Sequence, residues 1–213
     1  MGWKYRVKQV LCRFCSVHKA VYYRLDRTLV QKSENATEFT TDSGQEVSVE
    51  EIVRDLYDGN QTELTFYENY VRQGIERWTA HNNEKIAGVV WLYTGYYLAQ
   101  WEGYKAWLLH VNIDPADKFV CNVFVSPQFR GQNVFPLIAQ RCFEEYPDSE
   151  FYSCVSSDNI PSRRSHEKIG FRRCGVAYYL RFFQKTFCLF IPKKGKTRLL
   201  LLKRGQAAEV KLG

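Results

Sequence analysis

Between residues 118 and 171 the chain reads as strand, glycine-marked turn, helix, strand and helix, an order that few architectures accept. Phe119-Val120-Cys121-Asn122-Val123-Phe124-Val125 is apolar enough for a strand buried on both faces. It runs through Ser126-Pro127 into Gln128-Phe129-Arg130-Gly131-Gln132-Asn133 and then into an amphipathic stretch starting at Val134. A strand feeding a glycine turn at a helix start presents unpaired backbone N–H groups and a positive dipole end, which together attract an anion. Arg130 adds a planar guanidinium suited to bidentate phosphate binding. The chain lacks the Gly-Lys-Ser/Thr of a P-loop and the spacing of a Rossmann fingerprint, so the turn predicts a pyrophosphate cradle of another kind.

Downstream, Asn159-Ile160-Pro161-Ser162-Arg163-Arg164-Ser165-His166-Glu167-Lys168-Ile169-Gly170-Phe171 predicts a helix opened by Pro161 and closed by Gly170. The two segments together resemble the GCN5-related N-acetyltransferase (GNAT) superfamily. Its first motif, Arg/Gln-x-x-Gly-x-Gly/Ala after an apolar strand, is matched by Gln128-x-x-Gly131-x-Asn133. Its second, Asn-x-x-Ala-x-x-x-Tyr-Glu-Lys-x-Gly-Phe, is matched with Ser162 and His166 in place of Ala and Tyr. The resemblance covers residues 117–180 and is topological before them. It implies a mixed α/β fold with a central, twisted, mostly antiparallel sheet, splayed in the middle and carrying helices on both faces.

With 213 residues, 45% hydrophobic and 15% aromatic, the chain suits one globular domain over 1–213. To it are added a basic amphipathic segment (1–20) and a basic C-terminal extension (192–213). No apolar run approaches a membrane span and none follows the basic start, which predicts a cytoplasmic protein. The net charge of +7 favours anionic partners without choosing among cofactor, nucleic acid and lipid headgroup, and no nucleic-acid module signature is present. Seven cysteines, an odd number, suit buried thiols better than a disulfide framework. Cys12-x-x-Cys15 with His18 lacks a second ligand pair and reads as small residues on a helix.

Trp3, Val7, Val10, Leu11, Phe14 and Val17 stand at helical spacing among lysines and arginines, predicting a helix over 3–20 that packs on its own domain or lies at a membrane surface. Val21–Leu25 reads as a strand and 33–44 as a polar loop. Ser48-Val49-Glu50-Glu51 is a capping box for a helix ending at Gly59. A second helix starts at Asn60, with Leu64, Tyr67, Tyr70, Val71, Ile75 and Trp78 on one stripe. Residues 85–113 form a meander, and after Phe171 strands containing 176–183 and 187–190 finish the sheet, with 199–202 added.

Acetyl transfer to an amine needs a held thioester, stabilisation of the developing charge, a neutral amine and a proton for the thiolate. The resemblance places acetyl-CoA as co-substrate against backbone N–H groups of Cys121, Asn122, Val123 and Val125. The pyrophosphate would rest in Gln128, Phe129, Arg130, Gly131, Gln132, Asn133 and Val134, with Asn159 on the cofactor arm. His166 stands where the family carries a proton-donating tyrosine; it reads equally as an exposed helix histidine among Arg163, Arg164 and Lys168. Tyr178 and Tyr179 are the fallback donors. No general base is legible; Glu102, His110 and Asp114 also read as ordinary loop or strand-end residues.

The expected function is transfer of acetyl to a primary amine of a small molecule such as an amino sugar. A longer acyl donor, from CoA or an acyl-carrier protein at a membrane, and a non-catalytic CoA-binding module are the alternatives. Neither the oligomeric state nor the acceptor is legible.

Overall fold

The computed structural model describes residues 15–30, 38–43, 47–100, 108–182, 185–194, 198–202 and 208–211. Strands β1 (Cys15–Leu25) and β2 (Thr40–Ser43) precede helices α1 (Val49–Leu56) and α2 (Gln61–Arg72). Then come β3 (Glu76–Asn82), β4 (Lys85–Tyr93), β5 (Tyr96–Gln100), β6 (Leu108–Asn112) and β7 (Lys118–Val125). After α3 (Val134–Glu145) follow β8 (Phe151–Ser156), α4 (Ile160–Lys168), β9 (Phe171–Phe182), β10 (Lys185–Pro192), β11 (Arg198–Leu202) and β12 (Ala208–Lys211). Nine strands form one sheet in the order β11-β10-β9-β1-β8-β7-β4-β3-β2, and β12-β6-β5 form a small second one. Within the large sheet only β7 and β8 run parallel among the described residues. This is the mixed, mostly antiparallel α/β architecture expected from the sequence.

Each face of the sheet carries a separate core. On one, α3 packs Ile138, Ala139, Cys142 and Phe143 against Val21, Tyr23, Val90, Val120 and Phe151. On the other, α1 and α2 bury Ile52, Val53, Tyr67 and Tyr70 over Val89, Trp91, Phe119 and Cys121. Each fully buried side chain of this size contributes about 1.5–3 kcal/mol. The α1 start is a complete capping box: Glu51 N–H donates to Ser48 Oγ, and Ser48 N–H donates to the Glu51 carboxylate. At the closed end of β7, Lys118 is buried, bonded to Glu76 at 2.8 Å and seated 3.8 Å from the Tyr146 ring centre. Among the described residues no helix is long and apolar enough to cross a membrane.

Three expectations are corrected. Cys15–Ala20 is not the end of a helix but the start of β1, paired along its length with β9 and at Ala20 with β8. Two ladders outweigh a helical spacing, and Val17, assigned to the apolar helix face, is 67% exposed. The remainder of the basic segment, residues 1–14, lies outside the described residues, as do Cys12 and the aromatics Trp101, Tyr104 and Trp107. The α2 stripe does not reach Trp78: the helix stops at Arg72, Gly74 turns the chain at φ +74°, and Trp78 belongs to β3. Thr40–Ser43, expected as loop, adds β2 as an edge strand on β3. The strand expected to contain Val176 is β9, which begins at Phe171.

Candidate active site

The apolar strand β7 lies between an intact neighbour and an interrupted one. Toward β8 only three residue pairs remain: Lys118 with Phe151, Phe119 with Tyr152 and Val120 with Ser153. Beyond Val120 the two parallel strands part, so the edge of β7 that faces β8 has no ladder from Cys121 to Val125. Toward β4 the ladder continues, but its register slips between the pairs Trp91–Cys121 and Val89–Phe124. Asn122 and Val123 thus oppose Val90 alone, which makes a β-bulge, and Asn122 takes the left-handed conformation at φ +43°. The Asn122 carboxamide donates from Nδ2 to the Tyr70 hydroxyl at 2.6 Å. Nearby, Trp91 stacks on Tyr67 at 4.9 Å, and its buried indole N–H meets no acceptor among the described residues.

The fork opens onto the turn 126–133. Ser126 N–H donates to Ala87 O at 2.9 Å, anchoring the turn to β4, and Gly131 and Asn133 both hold positive φ, +82° and +60°. Asn133 thus holds a left-handed conformation, which asparagine tolerates better than most residues. Its side chain makes no cap on α3; its Oδ1 accepts from Lys168 Nζ at 2.8 Å. The first turn of α3 is left with backbone donors that no side chain closes. Arg130 folds over the turn, its Nε donating to Val125 O at 3.2 Å and its guanidinium 6.0 Å from the Phe124 ring. Gln132 Nε2 donates to Gln128 O at 3.1 Å, and Phe129 packs edge-on against Phe39. Neither Arg130 nor Lys168 is paired with a carboxylate among the described residues. A turn with two left-handed residues, open amides and two unneutralised cations suits a diphosphate.

On the other prong, Asn159 caps α4, its Oδ1 accepting from Ser162 N–H at 3.2 Å, which leaves the amide donors of the same side chain uncommitted. The three nominated proton donors are not gathered in the fork. His166 is 2% exposed, among the rings of Tyr23, Phe135 and Phe171. Its Nδ1 donates to Ser162 O at 2.8 Å, since a carbonyl only accepts. In the neutral ring Nε2 then accepts from the Ser153 hydroxyl at 2.9 Å, and that hydroxyl also lies 3.1 Å from Val120 O. Burial pushes the His166 pKa down to about 4, so at neutral pH the ring carries no proton to spare. It pins the vertex of the fork instead of serving a ligand.

Tyr178 and Tyr179 lie on β9, separated from β8 by β1. The Tyr179 hydroxyl is buried 3.1 Å from that of Tyr22, and burial raises its pKa well above the ordinary phenol value. Tyr178 is half-buried beneath the Lys19 ammonium, 5.3 Å from its ring centre. Conversely, the spacing did not single out Tyr70, Lys168 or the Asn122 bulge. Lys168 was legible only as a motif position, and a left-handed residue inside a strand leaves no periodic signature.

A family model described as "Acetyltransferase (GNAT) family" matches residues 47–171, more than half of the chain. The chain belongs to the GNAT acetyltransferase family. Solved structures agree at the level of fold. A GNAT-family acetyltransferase from Colwellia psychrerythraea aligns with TM-score 0.52 and 11% identity over 83% of this chain and 61% of its own. A conserved protein of unknown function from Staphylococcus epidermidis gives TM-score 0.55 and 9% identity over 85% of this chain and 68% of its own. A GCN5-related glucosamine N-acetyltransferase region of a fungal multi-domain β-N-acetylglucosaminidase gives TM-score 0.55 and 10% identity over 85% of this chain and 23% of its own. Several of these neighbours are longer, and the GNAT chain spans less than two thirds of the Colwellia protein. No curated protein sequence matches significantly.

Proposed function

We propose that this GNAT chain is an N-acetyltransferase that moves the acetyl group of acetyl-CoA to a primary amine of a small molecule, with an amino sugar as first candidate. The observation that carries the reading is the fork: β7 and β8 part after Val120 and Ser153, β7 bulges at Asn122 against its other neighbour β4, and the fork ends on the uncapped start of α3. In this reading the diphosphate rests on the amides of Gly131, Asn133 and Val134, beside Gln128, Phe129 and Gln132, with Arg130 and Lys168 neutralising it. The pantetheine arm runs along Cys121, Asn122, Val123 and Val125, and Asn159 donates to it from the opposite prong. Backbone donors fixed by the bulge would hold the thioester carbonyl as charge develops on its oxygen. An amine entering neutral needs no dedicated base. A departing thiolate, with a thiol pKa ordinarily near ~8.5, takes its proton from water without His166. The amino sugar is suggested by the fungal glucosamine N-acetyltransferase region, which shares the fold.

Calorimetric titration with acetyl-CoA and desulfo-CoA, followed by a thiol-release screen over primary amines including glucosamine, tests the reading. Binding of both nucleotides and thiol release with an amine are the expected results. Release from long-chain acyl-CoA alone would replace the donor, binding without any release would leave a CoA-binding module, and absence of binding would overturn the reading.

A further inference from the structure

We infer that Tyr70 is a positioning residue for acyl transfer, acting through Asn122 to hold the β7 bulge in register; the inference rests on the acetyl-CoA reading above. A non-glycine residue in the left-handed region inside a strand is held there by its surroundings, since the conformation costs roughly 1–2 kcal/mol for most residues and least for asparagine. At Asn122 the surroundings reduce to one polar contact: the Tyr70 hydroxyl is the only hydrogen-bond partner of the Asn122 side chain among the described residues. Tyr70 is 5% exposed, and its ring is wedged by Phe66 at 4.7 Å, Tyr67 at 5.8 Å and Trp91 at 5.5 Å. Trp91 is also the residue at which the regular β4–β7 pairing resumes, opposite Cys121. The hydroxyl that holds the bulge is therefore fixed by the same ring that flanks it.

The consequence for the site follows from strand geometry. In a strand, successive backbone groups face opposite edges, so relaxing a one-residue bulge into regular pairing reverses the edge to which the neighbouring amides point. The N–H groups aimed into the fork would turn back toward β4. Tyr70 touches no reacting atom in this account; it decides which way the amides point.

The test compares wild type with Tyr70→Phe, which keeps the ring and its packing, by calorimetric titration with acetyl-CoA and with desulfo-CoA, which has no thioester carbonyl. The expected result is that Tyr70→Phe weakens acetyl-CoA about fivefold, the size of one hydrogen bond, and weakens desulfo-CoA, which keeps the pantetheine arm but not the carbonyl, by clearly less. A second pair supplies the coupling: in an Asn122→Gly background, where the left-handed turn needs no brace, Tyr70→Phe should have no further effect. Equal weakening of both nucleotides would make Tyr70 a packing residue only, and an unchanged acetyl-CoA affinity would remove it from the site; either overturns the inference while leaving the acetyl-CoA reading intact. A wild-type protein that binds neither nucleotide would overturn both together.

Discussion

Two helices of this molecule follow parallel neighbouring strands, and their first turns are finished in opposite ways. Both have a proline within the first three positions, and both are preceded by an asparagine. At α4 that asparagine, Asn159, turns its own oxygen onto the Ser162 amide and closes the helix start. At α3 the corresponding Asn133 is left-handed, caps nothing, and gives its oxygen to Lys168 on the other helix. One residue type thus serves once as a cap and once as a hinge. The proposed anion site rests on this difference: a capped start has satisfied a donor internally, whereas an uncapped one keeps its donors for a ligand.

The contrast breaks most severely at Gly131. Gly131→Val places a β-branched residue at φ +82°, and the acetyl-CoA affinity should fall by about 100-fold or more, equivalent to about 3 kcal/mol, in calorimetric titration. An unchanged affinity would show that the turn does not hold the ligand.

The buried histidine of α4 supplies the next largest effect, and it falls on stability. The folded pKa of His166 is depressed to about 4 from 6.5, so the unfolded chain binds a proton first as the pH drops. The stabilising contribution is complete above pH 6.5 and is lost on acidification between pH 6.5 and 4, amounting to about 3 kcal/mol. Thermal unfolding across that window should show a steeper acid decline for wild type than for His166→Phe, with acetyl-CoA affinity at neutral pH the same in both. A variant as acid-sensitive as wild type would contradict the burial.

Arg130→Ala, which removes the guanidinium but spares the turn, should weaken acetyl-CoA about tenfold, with a smaller loss in high salt. Asn159 gives the smallest and most discriminating effect. Asn159→Ala should lower stability by about 1 kcal/mol through the lost cap, read as a shift of about 2–4 °C in Tm. Asn159→Asp keeps the cap and removes the amide donor, so a reduced acetyl-CoA affinity at unchanged Tm isolates the contact with the cofactor arm.

How much of this was legible in the sequence depended on the range of the forces involved. The β7 run, the Gly131 turn and the Ser48/Glu51 capping box are written in neighbouring residues and were read correctly. The strand Glu76–Asn82 was not, because Trp78 continues the α2 stripe at helical spacing and the break rests on Gly74 alone. Residues 15–20 resembled a helix for a similar reason, and their two strand partners lie more than a hundred positions away. His166 occupied the position of a family proton donor, but its exposure is set by Phe135, Phe171 and Tyr23, contributed by three other elements or their flanks. The fork was implied by the family resemblance, whereas the bulge and its tyrosine brace had no local signal.

The closed vertex of the fork has a metric consequence. From Val120 to Val125, five steps at about 3.3 Å give an edge of β7 roughly 17 Å long that carries no ladder toward β8, between the turn and the floor of the fork. At that floor the Ser153 hydroxyl meets the His166 ring at 2.9 Å and lies 3.1 Å from Val120 O. In the acetyl-CoA reading that open edge works as a gauge: it would fix how far along the sheet the tip of a threaded donor travels before it must swing out toward one face.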